Sequence, residues 1–150
     1  DGSVQHLPKE IPTTRFLFLG RLARFGGIFE KIRREYVWAD REIKDTTDID
    51  FVSGCFMCIK SEVFKNLGGF DERYFMYPED MDLTRRIHRD YLTVYFPYAT
   101  IIHNHEKASY KSLKMLWIHM VNMCRYFNKW GWFRDKERQL FNDTAIREYL

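Results

Sequence analysis

Glycine and proline divide the middle of the chain into short elements. Gly68 and Gly69 can supply the positive φ angles that end a helix, so we expect a short helix over residues 61–67, capped by the side chain of Ser61. The run over residues 49–59 is rich in strand-forming residues and predicts a buried strand. A strand followed by helices of this length is typical of a mixed α/β fold.

Pro78 marks the start of the next helix, because proline is favoured at the first helical position. Three acids follow in the first turn, where negative charge stabilises a helix N-terminus: Glu79, Asp80 and Asp82. We expect this helix to continue to about Arg89. Residues 93–96 and 99–102 are then expected to form two short extended segments.

The composition fits one compact unit. The chain has 150 residues, of which 45% are hydrophobic and 17% aromatic, enough for a single-domain core. Two further helices are predicted, one opened by Ser109 and ending near Gly131 and a shorter one over residues 134–150. The 24 basic and 21 acidic residues give a net charge of +3, too balanced to indicate a nucleic-acid partner. No apolar run approaches the roughly 18 residues that a membrane span needs.

Three cysteines are present: Cys55, Cys58 and Cys124. An odd number argues against a secreted disulfide framework and favours a reducing, cytoplasmic compartment. Cys55 and Cys58 have the spacing of half a zinc site. Because no second cysteine pair exists, buried thiols are favoured over metal binding.

Residues 15–34 form a basic amphipathic segment, in which six basic residues and one acid alternate with apolar ones. Gly26 and Gly27 interrupt it. Such a segment can lie on an anionic membrane surface with its apolar side chains inserted. The alternative is a pair of helices that pack on the core and keep a solvated basic face.

Several motifs follow one another between Asp50 and His103. They are Gly68-Gly69-Phe70-Asp71-Glu72, Tyr77-Pro78-Glu79-Asp80-Met81-Asp82-Leu83, Arg86 and His103. The combined pattern resembles the family-two inverting nucleotide-sugar glycosyltransferases, especially their rhamnosyltransferase-like branch. The resemblance implies the C-terminal part of a Rossmann-like nucleotide-diphospho-sugar transferase (GT-A) fold with C-terminal helices. Residues 1–48 are then a basic amphipathic and loop segment, residues 49–105 the catalytic part and residues 106–150 a helical tail.

The resemblance implies a general base at Asp80. An inverting transfer needs one carboxylate to take the proton of the acceptor hydroxyl as its oxygen attacks the sugar, and a helix N-terminus keeps a carboxylate ionised. Glu79 points about 100° away around the helix and is expected to orient the acceptor or a loop. Asp82 is expected to contact the acceptor, to cap the helix or to pair with Arg86.

Gly54 and His103 match the donor side of the same family. Gly54 corresponds to a turn whose backbone lies close to the donor sugar, and a strand bulge is the alternative. Charge on the leaving diphosphate can be neutralised by a divalent cation, Mg or Mn. His103 corresponds to a ligand of that metal, with His105 as the alternative ligand.

The resemblance implies transfer of a sugar from a nucleotide-sugar to a glycan or lipid-linked acceptor in surface polysaccharide synthesis, at the cytoplasmic side of the membrane. No nucleotide-binding half with an Asp-x-Asp motif precedes Asp50, so we expect this chain alone to be inactive. The alternative function is a noncatalytic membrane-surface module, motivated by residues 15–34 and by the aromatic tail. Three tryptophans of that tail could stack on sugars or lipid, but aromatic residues at helical spacing are more often core: Trp117, Trp130 and Trp132.

Overall fold

The computed structural model describes residue 5, residues 7–104 and residues 112–147. The helices and strands in this part of the chain are α1 (Thr14–Leu19), α2 (Gly27–Tyr36), β1 (Thr47–Asp48), α3 (Ser61–Asn66), α4 (Glu79–His88), β2 (Val94–Tyr95), α5 (Leu113–Trp130) and α6 (Lys136–Arg147). A 3₁₀ helix, Gly20–Phe25, lies between α1 and α2. Helices and strands are mixed, as the sequence predicts, and helices predominate.

The strands β1 and β2 pair antiparallel, and Thr47 lies opposite Tyr95. Backbone pairing extends to Ile49, whose N–H donates to the carbonyl oxygen of Thr93 at 2.8 Å. Of the two extended segments predicted after α4, the first contains β2. The second, residues 99–102, is irregular.

The long buried strand predicted over residues 49–59 does not form. Phe51 makes an isolated antiparallel bridge to Lys9, and the chain then turns at Gly54 and Cys55. Strand-forming residues in this run therefore reflect burial near the core more than pairing in a sheet.

Glycines end or interrupt the helices where the sequence predicts. Gly68 and Gly69 follow α3 with φ angles of 74° and 69°, and Gly131 follows α5 with a φ of 104°. Gly26, with a φ of 71°, separates the 3₁₀ helix from α2. The basic amphipathic segment is therefore not one continuous helix.

Helix starts differ slightly from the prediction. Ser61 is the first residue of α3, and Lys60 occupies the capping position without a side-chain bond. Pro78 lies at the capping position of α4, one residue before its predicted place. Ser109 lies outside the described residues, and α5 begins after Ser112, whose side chain accepts a backbone hydrogen bond.

Two hydrophobic clusters hold α4. The main cluster joins α1, α4 and α5, and its buried members are Leu17, Phe51, Tyr74, Met81, Met123, Tyr126 and Phe127. A second cluster packs α3 against α4 through Val63, Leu83 and Ile87. Because apolar contacts on two sides fix the axis of α4, its first turn is held in one position.

The tryptophans of the C-terminal part have two different environments. Trp130 and Trp132 pack against the main cluster, as the helical spacing predicts. Trp117 is 71% exposed, so the core prediction is wrong for this residue. Although α5 has 18 residues, no helix in the described ranges is long and apolar enough to cross a membrane.

Candidate active site

Asp80 lies in the first turn of α4, where two backbone N–H groups hold its carboxylate. Its Oδ2 accepts a hydrogen bond from the N–H of Gly54 at 2.7 Å, and its Oδ1 accepts one from the N–H of Met81 at 2.8 Å. An ionised carboxylate has about four lone-pair sites, so these bonds leave acceptor capacity free. The group is fixed in direction and still able to take a proton.

Gly54 approaches Asp80 so closely that a side chain does not fit between them. A Cβ atom at position 54 would lie 3.1 Å from both Cβ and Oδ2 of Asp80. The close backbone approach predicted at this glycine is therefore present, and the group it meets is the carboxylate of Asp80. Contact of Gly54 with a donor sugar stays a prediction.

Thr84 connects α4 to the segment that carries Gly54. Its buried hydroxyl lies 2.8 Å from the carbonyl oxygen of Asp80 and 3.3 Å from that of Val52. Thr84 follows Asp80 by four residues and so lies on the same helix face. The motif analysis missed this residue, although its spacing from Asp80 indicates the contact.

Burial raises the pKa of Asp80, because its charged form loses contact with water. This rise is opposed by the hydrogen bonds from Gly54 and Met81 and by the positive charge of Lys9, each of which lowers the pKa of Asp80. Burial in turn lowers the pKa of Lys9, and the Asp80 charge opposes this shift. Sequence reasoning missed Lys9, because tertiary contacts such as its bridge to Phe51 bring the N-terminal segment to the site. A carboxyl group with a raised pKa is suited to general-base chemistry.

Glu79 is half-buried beside Asp80. Burial raises the pKa of Glu79, a backbone hydrogen bond opposes this, and the charge of Asp80 adds to the rise. The two carboxyl groups therefore interact electrostatically. The backbone hydrogen bonds that each carboxyl group accepts favour its ionised form and oppose the effect of burial.

Asp82 is completely buried, and protein groups occupy both of its oxygens. Its Oδ2 accepts from Nε of Arg86 at 2.9 Å. Its Oδ1 lies 2.8 Å from Nε1 of Trp130 and 2.6 Å from Nζ of Lys129. The predicted pairing with Arg86 is confirmed. Because the side chain has no exposed surface, the geometry favours this structural role over contact with an acceptor.

His103 is exposed, and its Nδ1 lies 3.1 Å from Oε1 of Gln5. Among residues 5, 7–104 and 112–147, no group of three His, Cys, Asp or Glu side chains could hold a metal ion. The alternative ligand, His105, lies outside the described residues, and Cys55 and Cys58 are free thiols. The described residues therefore do not form a metal site by themselves.

Curated rhamnosyltransferases are similar to part of this chain. It is 42% identical over 108 residues to the N-acetylglucosaminyl-diphospho-decaprenol L-rhamnosyltransferase of Mycobacterium tuberculosis, in strains CDC 1551 / Oshkosh and ATCC 25618 / H37Rv. This alignment covers 69% of this chain and 34% of each relative. It is 33% identical over 99 residues to Rhamnosyltransferase WbbL of Escherichia coli strain K12, covering 64% of this chain and 35% of the relative. No protein-family profile and no solved structure matches the chain.

The chain thus spans about a third of the length of the curated relatives it matches. A segment that covers 64% or more of 150 residues includes residues 55–96 wherever it begins. The similarity therefore contains Glu79 and Asp80. The resemblance to rhamnosyltransferases that the motifs indicate is confirmed, for a part of those proteins.

Proposed function

We propose that this chain is the acceptor-side part of an inverting family-two glycosyltransferase with a GT-A fold, and that Asp80 is its catalytic base. The observation that carries the proposal is the placement of Asp80. It is a half-buried carboxylate, fixed at a helix N-terminus against Gly54, with lone pairs left to accept a proton. The similarity to curated rhamnosyltransferases supports the reaction class.

In the proposed reaction, a carboxylate oxygen of Asp80 takes the proton of an acceptor hydroxyl. The oxygen of that hydroxyl forms a bond to the anomeric carbon of the donor sugar on one face, while the bond from that carbon to the diphosphate breaks on the other face. The bonding electrons leave with the nucleoside diphosphate, and the configuration at the anomeric carbon is inverted. The raised pKa of Asp80 favours proton uptake at this step.

The substrates follow from the relatives' names. We propose a nucleotide-activated deoxyhexose such as rhamnose as donor and a lipid-linked diphospho-sugar as acceptor, in synthesis of a surface polysaccharide at the cytoplasmic side of the membrane. A separate nucleotide-binding half would hold the donor with its divalent metal, Mg or Mn, and His103 would add one ligand to that metal. No step assigned to Asp80 depends on the metal.

The test is sugar transfer from a panel of nucleotide-sugars to lipid-linked acceptors by the complete protein, with this chain alone assayed in parallel. We expect transfer by the complete protein and neither transfer nor donor hydrolysis by the chain alone. Activity of the chain alone would show that it already contains the donor site. A folded complete protein that transfers no sugar from any donor would contradict the proposed function.

A membrane surface is a second proposed partner, and it is also the basis of the alternative function as a noncatalytic module. Within the basic amphipathic segment, Phe18, Phe25 and Ile28 are 56%, 66% and 56% exposed. Arg33 pairs with Glu30 and Arg34 with Asp40, so the charges of these two arginines are compensated. Insertion of the three apolar side chains would therefore supply most of the binding energy.

A further inference from the structure

The loop that leads into α4 contains a strained residue directly before the acidic pair. Tyr77 has a φ of 88°, and Trp38 is the other non-glycine residue in the described ranges with a positive φ. A non-glycine residue in this region of φ is strained and persists only where surrounding structure holds it. Such strain is typical of functional sites.

One face of α5 holds this loop at three points. Nη1 of Arg125 donates to the carbonyl oxygen of Arg73 at 2.7 Å, and Nδ2 of Asn122 donates to that of Met76 at 2.9 Å. The ring of His119 lies 4.4 Å from the ring of Tyr77, centroid to centroid, at an angle of 50°. These three residues of α5 are spaced by three positions and so lie on one helix face. The position of Tyr77 is therefore determined by α5.

Three buried polar atoms of this loop and of the first turn of α4 have no hydrogen-bond partner in the described part of the chain. Oη of Tyr74 lies in the main hydrophobic cluster, whereas Oη of Tyr77 and Oε2 of Glu79 lie on residues either side of Pro78. Leaving buried polar atoms unpaired destabilises a fold, so native proteins pair nearly all of them with protein groups, water or a ligand. Tyr77 can donate a hydrogen bond, whereas an ionised Glu79 can only accept one.

The pair is close in sequence to the base, since Tyr77 and Glu79 flank Pro78 and precede Asp80. Glu79 is also close enough in space for the Asp80 charge to affect it. A ligand that satisfies both unpaired atoms needs one group that accepts and one that donates. Hydroxyl groups of a sugar do both.

We propose that Tyr77 and Glu79 form a subsite for the hydroxyl groups of the acceptor sugar, and that His119 positions the ring of Tyr77. The inference rests on the proposed function and adds the residues that bring the attacking hydroxyl to Asp80. Tyr77 donates to one acceptor hydroxyl, and Glu79 accepts from another. The strain at Tyr77 is compensated when α5 and the acceptor hold the loop in place.

The decisive variant is Tyr77→Phe in the complete protein, because it removes Oη and keeps the ring contact with His119. We expect the acceptor KM to rise by about three- to tenfold, which corresponds to one lost hydrogen bond, with the donor KM unchanged. The variant should melt no lower than wild type, because an unpaired buried hydroxyl is removed. Tyr91→Phe is the matched control, since Tyr91 is exposed outside this loop.

Acceptor analogues that each lack one hydroxyl complete the test. With the wild type, the KM of one analogue should exceed that of the natural acceptor by the same factor that Tyr77→Phe causes. With Tyr77→Phe, the loss of that hydroxyl should cause no further rise in KM, as in a double-mutant cycle. His119→Ala should raise the acceptor KM in the same direction, and His119→Phe, which keeps a ring, should restore it.

The failure of this inference differs from the failure of the proposed function. If the wild type transfers sugar in a reaction that depends on Asp80, and Tyr77→Phe leaves the acceptor KM unchanged, the subsite alone is overturned. An additive loss between the variant and every deoxy analogue would overturn it as well. No transfer by the folded wild type would overturn the function itself.

Discussion

The N–H of Gly54 donates to Oδ2 of Asp80 at 2.7 Å, and a Cβ atom at position 54 would lie 3.1 Å from that same oxygen. One glycine therefore both orients the carboxylate and leaves it room. The two residues lie on different segments, a turn and a helix start, which Thr84 joins. The carboxylate of the candidate base is therefore held in position by contacts with the rest of the fold.

Replacement of Gly54 by alanine should displace Asp80. The new methyl group meets the Cβ and Oδ2 atoms of Asp80 at a distance tighter than ordinary contact, so the carboxylate must move by some tenths of an ångström. Because small misplacements of a reacting group are costly, we expect transfer by the complete protein to fall about 10- to 100-fold. Cys55→Ala, in the same turn, is the control and should stay near wild type. Equal rates for both variants would show that Gly54 does not position the base.

The acid limb of the pH–rate profile, where the rate rises with pH, should reflect the pKa of Asp80. The rate rises with pH as Asp80 loses its proton, and burial places this limb above the ordinary pKa of an aspartate, 3.8. Lys9 lowers the pKa of Asp80, so Lys9→Met removes that effect and should move the limb to higher pH. The exposed Lys60, changed to Met, should leave the profile in place. A limb that moves to lower pH in Lys9→Met would contradict the assignment.

Asp82 should matter for stability more than for acceptor binding. Asp82→Asn removes the charge that compensates Arg86 and Lys129 around a fully buried side chain. We expect a loss of roughly 3 kcal/mol in the free energy of unfolding, measured by urea denaturation. Asp90→Asn, at an exposed position, should change it by less than about 0.5 kcal/mol. Unchanged stability together with a raised acceptor KM would instead favour acceptor contact by Asp82.

Membrane binding should depend on the exposed apolar side chains of the basic segment. The triple variant Phe18→Ser, Phe25→Ser, Ile28→Ser should lose most co-sedimentation with vesicles that contain anionic lipid, because insertion supplies the binding energy. Phe133→Ser is the control, since Phe133 is 74% exposed elsewhere in the chain. Equal binding by the triple variant and the control would remove this segment as the membrane surface.

Elements with local determinants were predictable from the sequence. The end of α3 lies at Gly68 and Gly69 and the start of α4 at Pro78, each within about one residue of the predicted position. These positions were predictable because the backbone preferences of glycine and proline belong to the residue itself. The acidic pair was found at the start of a helix for the same reason. The helix start also determines which way Asp80 faces.

Features that depend on distant partners were not predictable. The run over residues 49–59 has the composition of a strand, but it turns at Gly54, where the N–H bonds to Asp80. The approach of Lys9 follows from a bridge to Phe51, which neither residue indicates alone. Trp117 has helical spacing but lies on the solvent side of α5. In each case tertiary contacts decide between options that local sequence leaves open.

The most direct measurement is sugar transfer by the complete protein with Asp80 and with Asp80→Asn. Asparagine is nearly the same size and keeps an acceptor for one of the two backbone hydrogen bonds, but it cannot take a proton from the acceptor hydroxyl. With thermal melting showing that both proteins are folded, we expect transfer by the variant to fall about 10²- to 10⁴-fold. Equal transfer by the two proteins would contradict the mechanism and leave Asp80 as a helix-capping residue.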